Sequence, residues 1–226
     1  MLLTNRREIL RILAMLPIGM VLPKSIFAAN SDAAKTYTET IGVLKSAYTD
    51  EMTSHKQYAA FIAGAMAEGY ANIAYLFKVF SVSNKMHAKN YQKVLKELTV
   101  TVEEPMIEIV VRNTKNNLYD ASAGELVKIK KTYPEYLKRL AADSYLGAVV
   151  NCMWAWKSHR RHEKQIADIH NYAGLFFPVV AQKLEDANFN FHVCNICGTT
   201  VDEPPELPCE TCNYPAKNYI KIPPPV

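Results

Sequence analysis

Apolar residues recur every three or four positions from Thr38 to about Leu98, a spacing typical of amphipathic helices. The tripeptide Glu68–Tyr70 interrupts this pattern with a glycine. The pattern therefore predicts two long helices separated by a short break.

Two further helices are predicted after a long connection, Thr99–Asp120, that lacks this spacing. The motif Ser-Ala-Gly-Glu at Ser122 is typical of a helix N-terminus and predicts the start of the third helix. The fourth is predicted from about 143 to 172, followed by a short helix over Phe177–Ala187. Two helix pairs joined by a long crossover describe an all-α, ferritin-like four-helix bundle, which we assign to residues 36–175.

The composition changes at Phe189, where a short, proline-rich tail begins that holds four of the five cysteines. Because the segment is short, rich in proline and holds these cysteines, we predict a separate small domain over residues 189–226. Its cysteines form the most specific motif of the chain: Cys194-x2-Cys197-x11-Cys209-x2-Cys212.

Two Cys-x-x-Cys pairs about a dozen residues apart are typical of four thiolates arranged tetrahedrally around one metal ion. Gly198 and Asn213 follow the two pairs and suit the backbone conformation in which amides point at sulfur. The alternative is two disulfides, which an oxidising compartment would permit, but the paired spacing favours metal. Iron and zinc both accept four thiolates.

Most of the chain's formal charge of +4 lies in its first 29 residues, where four basic residues against Glu8 give +3. The remainder carries only about +1, so no basic footprint for nucleic-acid binding is present. The charge therefore concerns the N-terminal segment, not the predicted domains.

Residues 1–29 have the layout of an export signal, with a basic start, a short apolar region and small residues near Ala28 and Ala29. The adjacent Arg6 and Arg7 are typical of a twin-arginine signal, although an ordinary secretory signal is the alternative. We therefore expect a periplasmic or otherwise exported protein. The apolar region is too short to span a membrane, and membrane association is expected only if the signal is retained as an anchor.

A four-helix bundle followed by this cysteine tail resembles the rubrerythrin family, and the likeness extends over about residues 40–222. The segments Leu44–Phe61, Ala67–Leu95, Ser122–Leu137 and His159–Lys164 are similar to the four helices of that family. The tail resembles rubredoxin, whose Fe(Cys)4 centre passes single electrons. The resemblance thus implies iron at the four cysteines, with zinc as the alternative.

Rubrerythrins hold two irons with a lone glutamate on the first helix and Glu-x-x-His on the second. Glu51 matches the lone glutamate, and His87 matches the histidine. Asn84 stands where the glutamate of the second helix belongs. One carboxylate of the family's site is therefore lost in this half.

The third and fourth helices of the family carry Glu-x-x-Glu and Glu-x-x-His. Glu125 matches the first glutamate of the third helix, but Lys128 replaces the second. On the fourth helix, His159 replaces the glutamate and His162 matches the histidine. His159 and His162 are three residues apart, so a continuous helix would place both on one face.

Three carboxylate positions are thus lost and one cation is added, so a normal di-iron centre is not expected, because two metal cations need several anionic ligands. An imidazole-rich set suits a single Zn, Fe, Mn or Cu ion. In the alternative, Lys128 pairs with Glu51 or Glu125 and no metal binds. The predicted metal-binding and catalytic residues of the bundle are Glu51, His87, Glu125, His159 and His162.

Two functions follow from these assignments. In the first, an exported oxidoreductase passes electrons from the cysteine centre to the remodelled bundle metal, and reduces peroxide as rubrerythrins do. In the second, the protein is a non-catalytic electron-transfer or redox-complex subunit whose bundle is a scaffold. The resemblance further implies a redox partner protein and a head-to-tail homodimer.

Three further residues are candidates near the bundle site. Tyr58 and Tyr133 match tyrosines near the family's metal site, and Cys152 is either a further ligand or a buried thiol.

Overall fold

The computed structural model describes residues 36–226, so the predicted export signal lies outside it. The described residues form six α-helices and three short strands. They are α1 (Thr38–Ala67), α2 (Ala71–Glu97), α3 (Thr114–Val127), α4 (Tyr133–Asp143), α5 (Leu146–Arg160), α6 (Glu163–Glu185), β1 (His192–Cys194), β2 (Thr200–Val201) and β3 (Tyr219–Lys221).

Helices α1 and α2 confirm the two long helices that the apolar spacing predicts. The break between them is a tight turn in which Gly69 adopts φ +84°, a conformation that glycine tolerates without strain. The two helices pack along their length, with aromatic residues such as Phe61 and Phe77 meeting at a ring-centroid distance of 5.3 Å. This pair provides half of the predicted bundle.

The start predicted for the third helix at Ser122 is wrong, because α3 begins eight residues earlier at Thr114. The Asn113 side chain accepts a hydrogen bond from the Asn116 amide at 3.0 Å, and the Glu68 carboxylate accepts one from the Thr114 amide at 3.1 Å. The true N-terminus is thus capped partly by a residue of the α1–α2 turn. Sequence spacing alone does not show such a distant cap.

The predicted fourth helix, 143–172, is also not continuous. Helix α5 ends at Arg160, and His162 has the non-helical angles φ −106° and ψ 14° before α6 begins. Helix α6 then runs to Glu185 with a kink at Phe176, so the short helix predicted from Phe177 is the continuation of α6. A π-helical turn, Lys128–Thr132, joins α3 to α4.

The cysteine-rich tail forms a small antiparallel sheet in the strand order β2-β1-β3. It packs on α2, where the Tyr75 hydroxyl donates to the Ile222 carbonyl and accepts from the Phe191 amide. Tyr37–Val226 form one compact unit. In the described part of the chain, we find no helix long and apolar enough to cross a membrane.

Side chains of the bundle also hold the first cysteine turn through its carbonyl groups. The Ser83 and Ser158 hydroxyls both donate to the Gly198 carbonyl, at 2.7 and 3.3 Å, and the Asn90 amide donates to the Ile196 carbonyl at 2.7 Å. Ser83, Asn90 and Ser158 were not identified from the sequence, because small polar residues on helices give no specific signal. They place the cysteine module directly above His87.

Replacing Gly198 by alanine is expected to lower the free energy of unfolding by about 2–4 kcal/mol, as judged by urea denaturation. Gly198 has φ +80°, and a Cβ there would clash with the His87 ring and approach the Ser83 carbonyl oxygen. In a His87→Ala background the penalty should shrink to that of the backbone conformation and the approach to the Ser83 carbonyl oxygen. Gly124→Ala is the matched control, since a Cβ there meets nothing within 4 Å. An equal penalty in both backgrounds would show that the ring contact is absent.

Candidate metal centres

The four cysteines of the tail converge on one point. Their Sγ atoms are 3.8 Å apart for Cys194 and Cys212, and 3.7 Å for Cys197 and Cys209. Four sulfurs at bond lengths of about 2.3 Å from a central ion are separated by about 3.8 Å in a tetrahedron. The described cysteines are free thiols, so the predicted metal site agrees with the structure and the disulfide alternative does not.

The surroundings of the cysteines favour the thiolate form of Cys194, whereas a hydrogen bond with Cys194 raises the pKa of Cys197 and burial raises that of Cys212. Gly198 and Asn213 have φ +80° and +61°, and their amides donate to the Cys194 and Cys209 carbonyls. A hydrogen bond from Cys197 is the main cause that lowers the pKa of Cys194 to about 5. The Tyr219 hydroxyl donates to Cys209 Sγ at 3.1 Å. The site therefore fits a thiolate-bound ion such as iron or zinc.

A second cluster lies in the bundle core around Glu51, which is 1% exposed. Oε1 of Glu51 accepts from the Tyr133 hydroxyl at 2.7 Å and from Lys128 Nζ at 3.1 Å. Oε2 lies 3.3 Å from Nδ1 of His87. Lys128 thus contacts Glu51, the carboxylate of α1 that matches the family's ligand.

Glu125 on α3 is paired in the same way. Its Oε2 lies 2.5 Å from Nδ1 of His159, and its Oε1 accepts from the Tyr58 hydroxyl at 2.6 Å. Lys128 Nζ is 3.9 Å from Oε1 of Glu125. Lys128 therefore lies between the two buried carboxylates, and Tyr58 and Tyr133 each donate to one of them.

These contacts determine which groups are charged. Burial alone would raise the pKa of Glu51, but Lys128 and His159 outweigh it and hold the pKa well below its usual range. The same two cations outweigh burial at Glu125, whose pKa falls to about 2. Burial would lower the pKa of His159, but Glu125 and Glu51 raise it to about 9, while burial lowers that of His87. Two anions and two cations thus form a neutral network.

This network predicts a pH dependence of stability. Because the pKa of His159 is raised from 6.5 to about 9, its contribution is complete below pH 6.5 and is lost as the pH rises through about 9. Because the pKa of Glu125 is lowered from 4.5 to about 2, its contribution is complete above pH 4.5 and is lost as the pH falls through about 2. Urea denaturation across this range should show both losses. His159→Gln should remove the alkaline one, whereas His192→Gln should leave it unchanged.

The structure brings some of the predicted bundle ligands together and separates one. Ligand atoms of Glu51, His87 and His159 all lie within 4.8 Å of one another, and Glu125 joins them through His159. His162 does not belong to the cluster, because its Nε2 lies 3.1 Å from the Thr200 carbonyl oxygen.

The expectation that His159 and His162 share one face is therefore wrong. It assumes a continuous helix, but α5 ends at Arg160, between the two histidines. His162 turns toward the cysteine module, and burial lowers its pKa. His162, which matches the family's histidine ligand, therefore lies outside the cluster. His159, which replaces a glutamate, lies within it.

The donor set does not fit two irons. Only Glu51 and Glu125 supply negative charge in the described cluster, and both already contact Lys128 or His159. The Asn84 side chain is buried, and its Nδ2 has no hydrogen-bond partner. A second metal cation would face two fixed positive charges with no further anion, which is electrostatically unfavourable.

A single ion fits the donor atoms better. Nδ1 of His87 lies 3.3 Å from Glu51 Oε2, and Nε2 of His159 lies 3.4 Å from Glu51 Oε1 without hydrogen-bond geometry. Together with Glu51 these atoms form a set of donors of the kind that binds one divalent metal. Cys152 does not belong to this cluster of ligand atoms, and burial raises its pKa to about 12.

A bundle with a buried Glu/His cluster and a four-cysteine module on α2 defines a ferritin-like non-haem metalloprotein with a rubredoxin-like domain. The family model for rubrerythrin matches residues 42–169. The chain belongs to the rubrerythrin family. The predicted fold class, an all-α ferritin-like bundle with a small C-terminal metal-binding domain, is confirmed.

Individual relatives agree with this assignment. Rubrerythrin-2 of Clostridium acetobutylicum is 32% identical over 178 residues, which cover 76% of this chain and 91% of that protein. Nigerythrin of Nitratidesulfovibrio vulgaris is 23% identical over 169 residues, or 74% of this chain and 79% of that protein.

Solved structures support the fold. Nigerythrin in a mixed-valence state superposes with a TM-score of 0.68 at 21% identity, covering 92% of this chain and all of that one. Bacterioferritin of Desulfovibrio desulfuricans, described with a di-iron site, superposes with a TM-score of 0.58 at 17% identity, covering 66% and 87%. These likenesses concern the arrangement of the helices.

Proposed function

We propose that this protein carries single electrons on an iron ion held by its four cysteines, and that the bundle supports this centre without a di-iron site. The observation that carries the proposal is the position of Lys128, whose Nζ lies 3.1 Å from Glu51 Oε1 in the bundle core. The lysine ammonium neutralises the buried carboxylates. In a metal site, the metal ion would have that role.

The residues around the cysteines suit this role. An iron bound by four thiolates supplies one-electron chemistry by changing its oxidation state. Trp154, Ile196 and Tyr219 pack around the sulfurs and exclude water. The Tyr219 hydroxyl at Cys209 and the Ile196 and Cys197 amides at Cys194 stabilise negative charge on sulfur, which a reduced iron centre would carry in excess.

A second candidate function is favoured by Nε2 of His159, which has no hydrogen-bond partner, and by Nδ1 of His87, which lies 3.3 Å from Glu51 Oε2. In this candidate, one redox-active metal ion binds Glu51, His87 and His159 and receives electrons from the cysteine centre, with peroxide as the substrate. Binding would require Lys128 to leave Glu51, and His159 to give up the proton that its raised pKa retains.

Metal analysis and visible spectroscopy of the purified protein separate the two candidates. The first expects one iron per chain, thiolate-to-iron absorption bands and no second metal. The second expects a further metal that is lost in His87→Ala and His159→Ala but retained in the control His162→Ala, whose side chain lies outside the cluster. Zinc in place of iron at the cysteines would overturn the electron-carrier proposal. Peroxide turnover with a reducing partner should be absent in the first case.

We also propose export by the twin-arginine pathway, which rests on Arg6 and Arg7 and on the apolar region after them. Changing both arginines to lysine should leave the protein in the cytoplasm, as cell fractionation and immunoblotting would show. Because lysine keeps the charge, an ordinary secretory signal would still function in this variant. Export of the variant would therefore contradict the twin-arginine assignment.

A further inference from the structure

Two peptide groups of the first cysteine pair donate hydrogen bonds to sulfur. The Cys197 amide donates to Cys194 Sγ, and the Thr199 amide donates to Cys197 Sγ. A hydrogen bond to a thiolate is charge-assisted, so it is stronger than one between neutral groups. The carbonyl groups of the same two peptides are those of Ile196 and Gly198. Each of these peptides therefore contacts a sulfur through its N–H, and its carbonyl can accept a further hydrogen bond.

Three side chains of the bundle donate to these two carbonyls. Asn90 Nδ2 donates to the Ile196 carbonyl at 2.7 Å. The Ser83 and Ser158 hydroxyls donate to the Gly198 carbonyl at 2.7 and 3.3 Å. Both serines are buried, so their bonds to this carbonyl are shielded from water. Each peptide is thus the middle member of a hydrogen-bond chain that runs from a bundle side chain to a cysteine sulfur.

We infer that Ser83, Asn90 and Ser158 raise the reduction potential of the cysteine centre by polarising the two peptides that donate to its sulfurs. The inference rests on the proposed electron-carrier function and gives these side chains a role beyond holding the module. A donor at the carbonyl draws electron density from the amide nitrogen, so the N–H becomes a stronger donor. Reduction of an iron held by four thiolates adds one negative charge, which the sulfurs share. Stronger donors at sulfur therefore favour the reduced form.

The second cysteine pair lacks this arrangement. The Tyr214 amide donates to Cys212 Sγ, and the carbonyl of that peptide is that of Asn213, an exposed residue. Within the described residues, no bundle side chain donates to the Asn213 carbonyl. The bundle therefore acts on the sulfurs of Cys194 and Cys197, and the Tyr214 amide provides an internal reference for a test.

The sign of the effect separates polarisation from simple support of the module. If the three side chains only held the module on the bundle, their loss would let water reach the centre. Water stabilises the more highly charged reduced form and would raise the reduction potential. Loss of polarised donors has the opposite effect and lowers the potential. A lowered potential is therefore the result that a purely supporting role does not produce.

Redox titration of the iron-loaded protein, followed by visible absorption, tests the inference. Ser83→Ala and Asn90→Leu should each lower the ratio of reduced to oxidised centre at a given solution potential by roughly twofold. The double variant should lower it by roughly fourfold, or about 35 mV at 59 mV per tenfold change, since the two side chains act on different peptides. Ser81→Ala is the matched control, because Ser81 is a buried serine of the same helix whose hydroxyl hydrogen-bonds to His55. An unchanged or raised potential in the double variant, or an equal fall in Ser81→Ala, would overturn the inference.

Amide proton shifts of the zinc-loaded protein test the same inference without redox chemistry. The Thr199 amide proton should move upfield in Ser83→Ala, and the Cys197 amide proton in Asn90→Leu, because each N–H becomes a weaker donor. The Tyr214 amide proton should keep its shift in both variants. Unchanged shifts at Thr199 and Cys197 would contradict polarisation even if the potential fell. Zinc in the purified protein would overturn the electron-carrier proposal alone, because both measurements use protein loaded with a chosen metal.

Discussion

Replacing Lys128 by methionine is expected to lower the free energy of unfolding by about 3–5 kcal/mol. The side chain is only 11% exposed, and its Nζ contacts Glu51 and Glu125, both buried. Methionine fills similar space but removes one of two cations that neutralise two buried carboxylates. The remaining carboxylate charge would then lie in the core without a partner, which is costly in a low-dielectric environment.

Urea denaturation with metal analysis of the same samples would check this result. Lys130→Met is the matched control, since Lys130 lies two residues further along the π-helical turn, is exposed, and should change stability by no more than about 0.5 kcal/mol. If Lys128→Met instead kept its stability and acquired a second metal ion, the bundle would be a suppressed metal site. That outcome would show that Lys128 excludes a metal ion from the bundle of the unchanged chain, as the electron-carrier proposal requires.

Replacing Cys209 by serine is expected to abolish the thiolate-to-iron absorption and to unfold the cysteine module while leaving the bundle helical. The module has only short strands, and its innermost cluster is formed largely by the cysteines themselves. Structural four-ligand sites of this kind contribute on the order of 10 kcal/mol to folding. Loss of one thiolate should therefore remove most of the stability of residues 189–226.

Iron content, visible absorption and far-ultraviolet circular dichroism would measure the three parts of this expectation. Cys152→Ser is the matched control, because Cys152 is a buried thiol of α5 that lies outside the four-cysteine cluster. The control should retain iron and colour, with a moderate loss of stability from placing a hydroxyl in an apolar site. Retention of iron and colour in Cys209→Ser would show that the iron is bound elsewhere.

Much of the fold follows from local pattern. The three- and four-residue spacing of apolar side chains predicts α1 and α2 and the turn between them, because such spacing places these side chains on one face of a helix. The cysteine spacing predicts the metal site in the same way, since each Cys-x-x-Cys turn positions two sulfurs by local geometry. The start of α3 and the continuity of the fourth helix are predicted wrongly. In both places, contacts from residues distant in sequence determine where a helix begins or ends. Glu68 caps α3 from 46 positions away, and Thr200 binds His162 from 38 positions away.

The sequence by itself determined the helical pairs, the four-cysteine site and the replacement of carboxylates by Asn84, Lys128 and His159. Only the tertiary structure decided what these replacements do. It places Lys128 beside Glu51, 77 positions away, and turns His162 out of the cluster. The physical reason is that spacing along a chain specifies which side chains share a face within a few residues. Charges and ligands on separate helices meet only when packing brings those faces together.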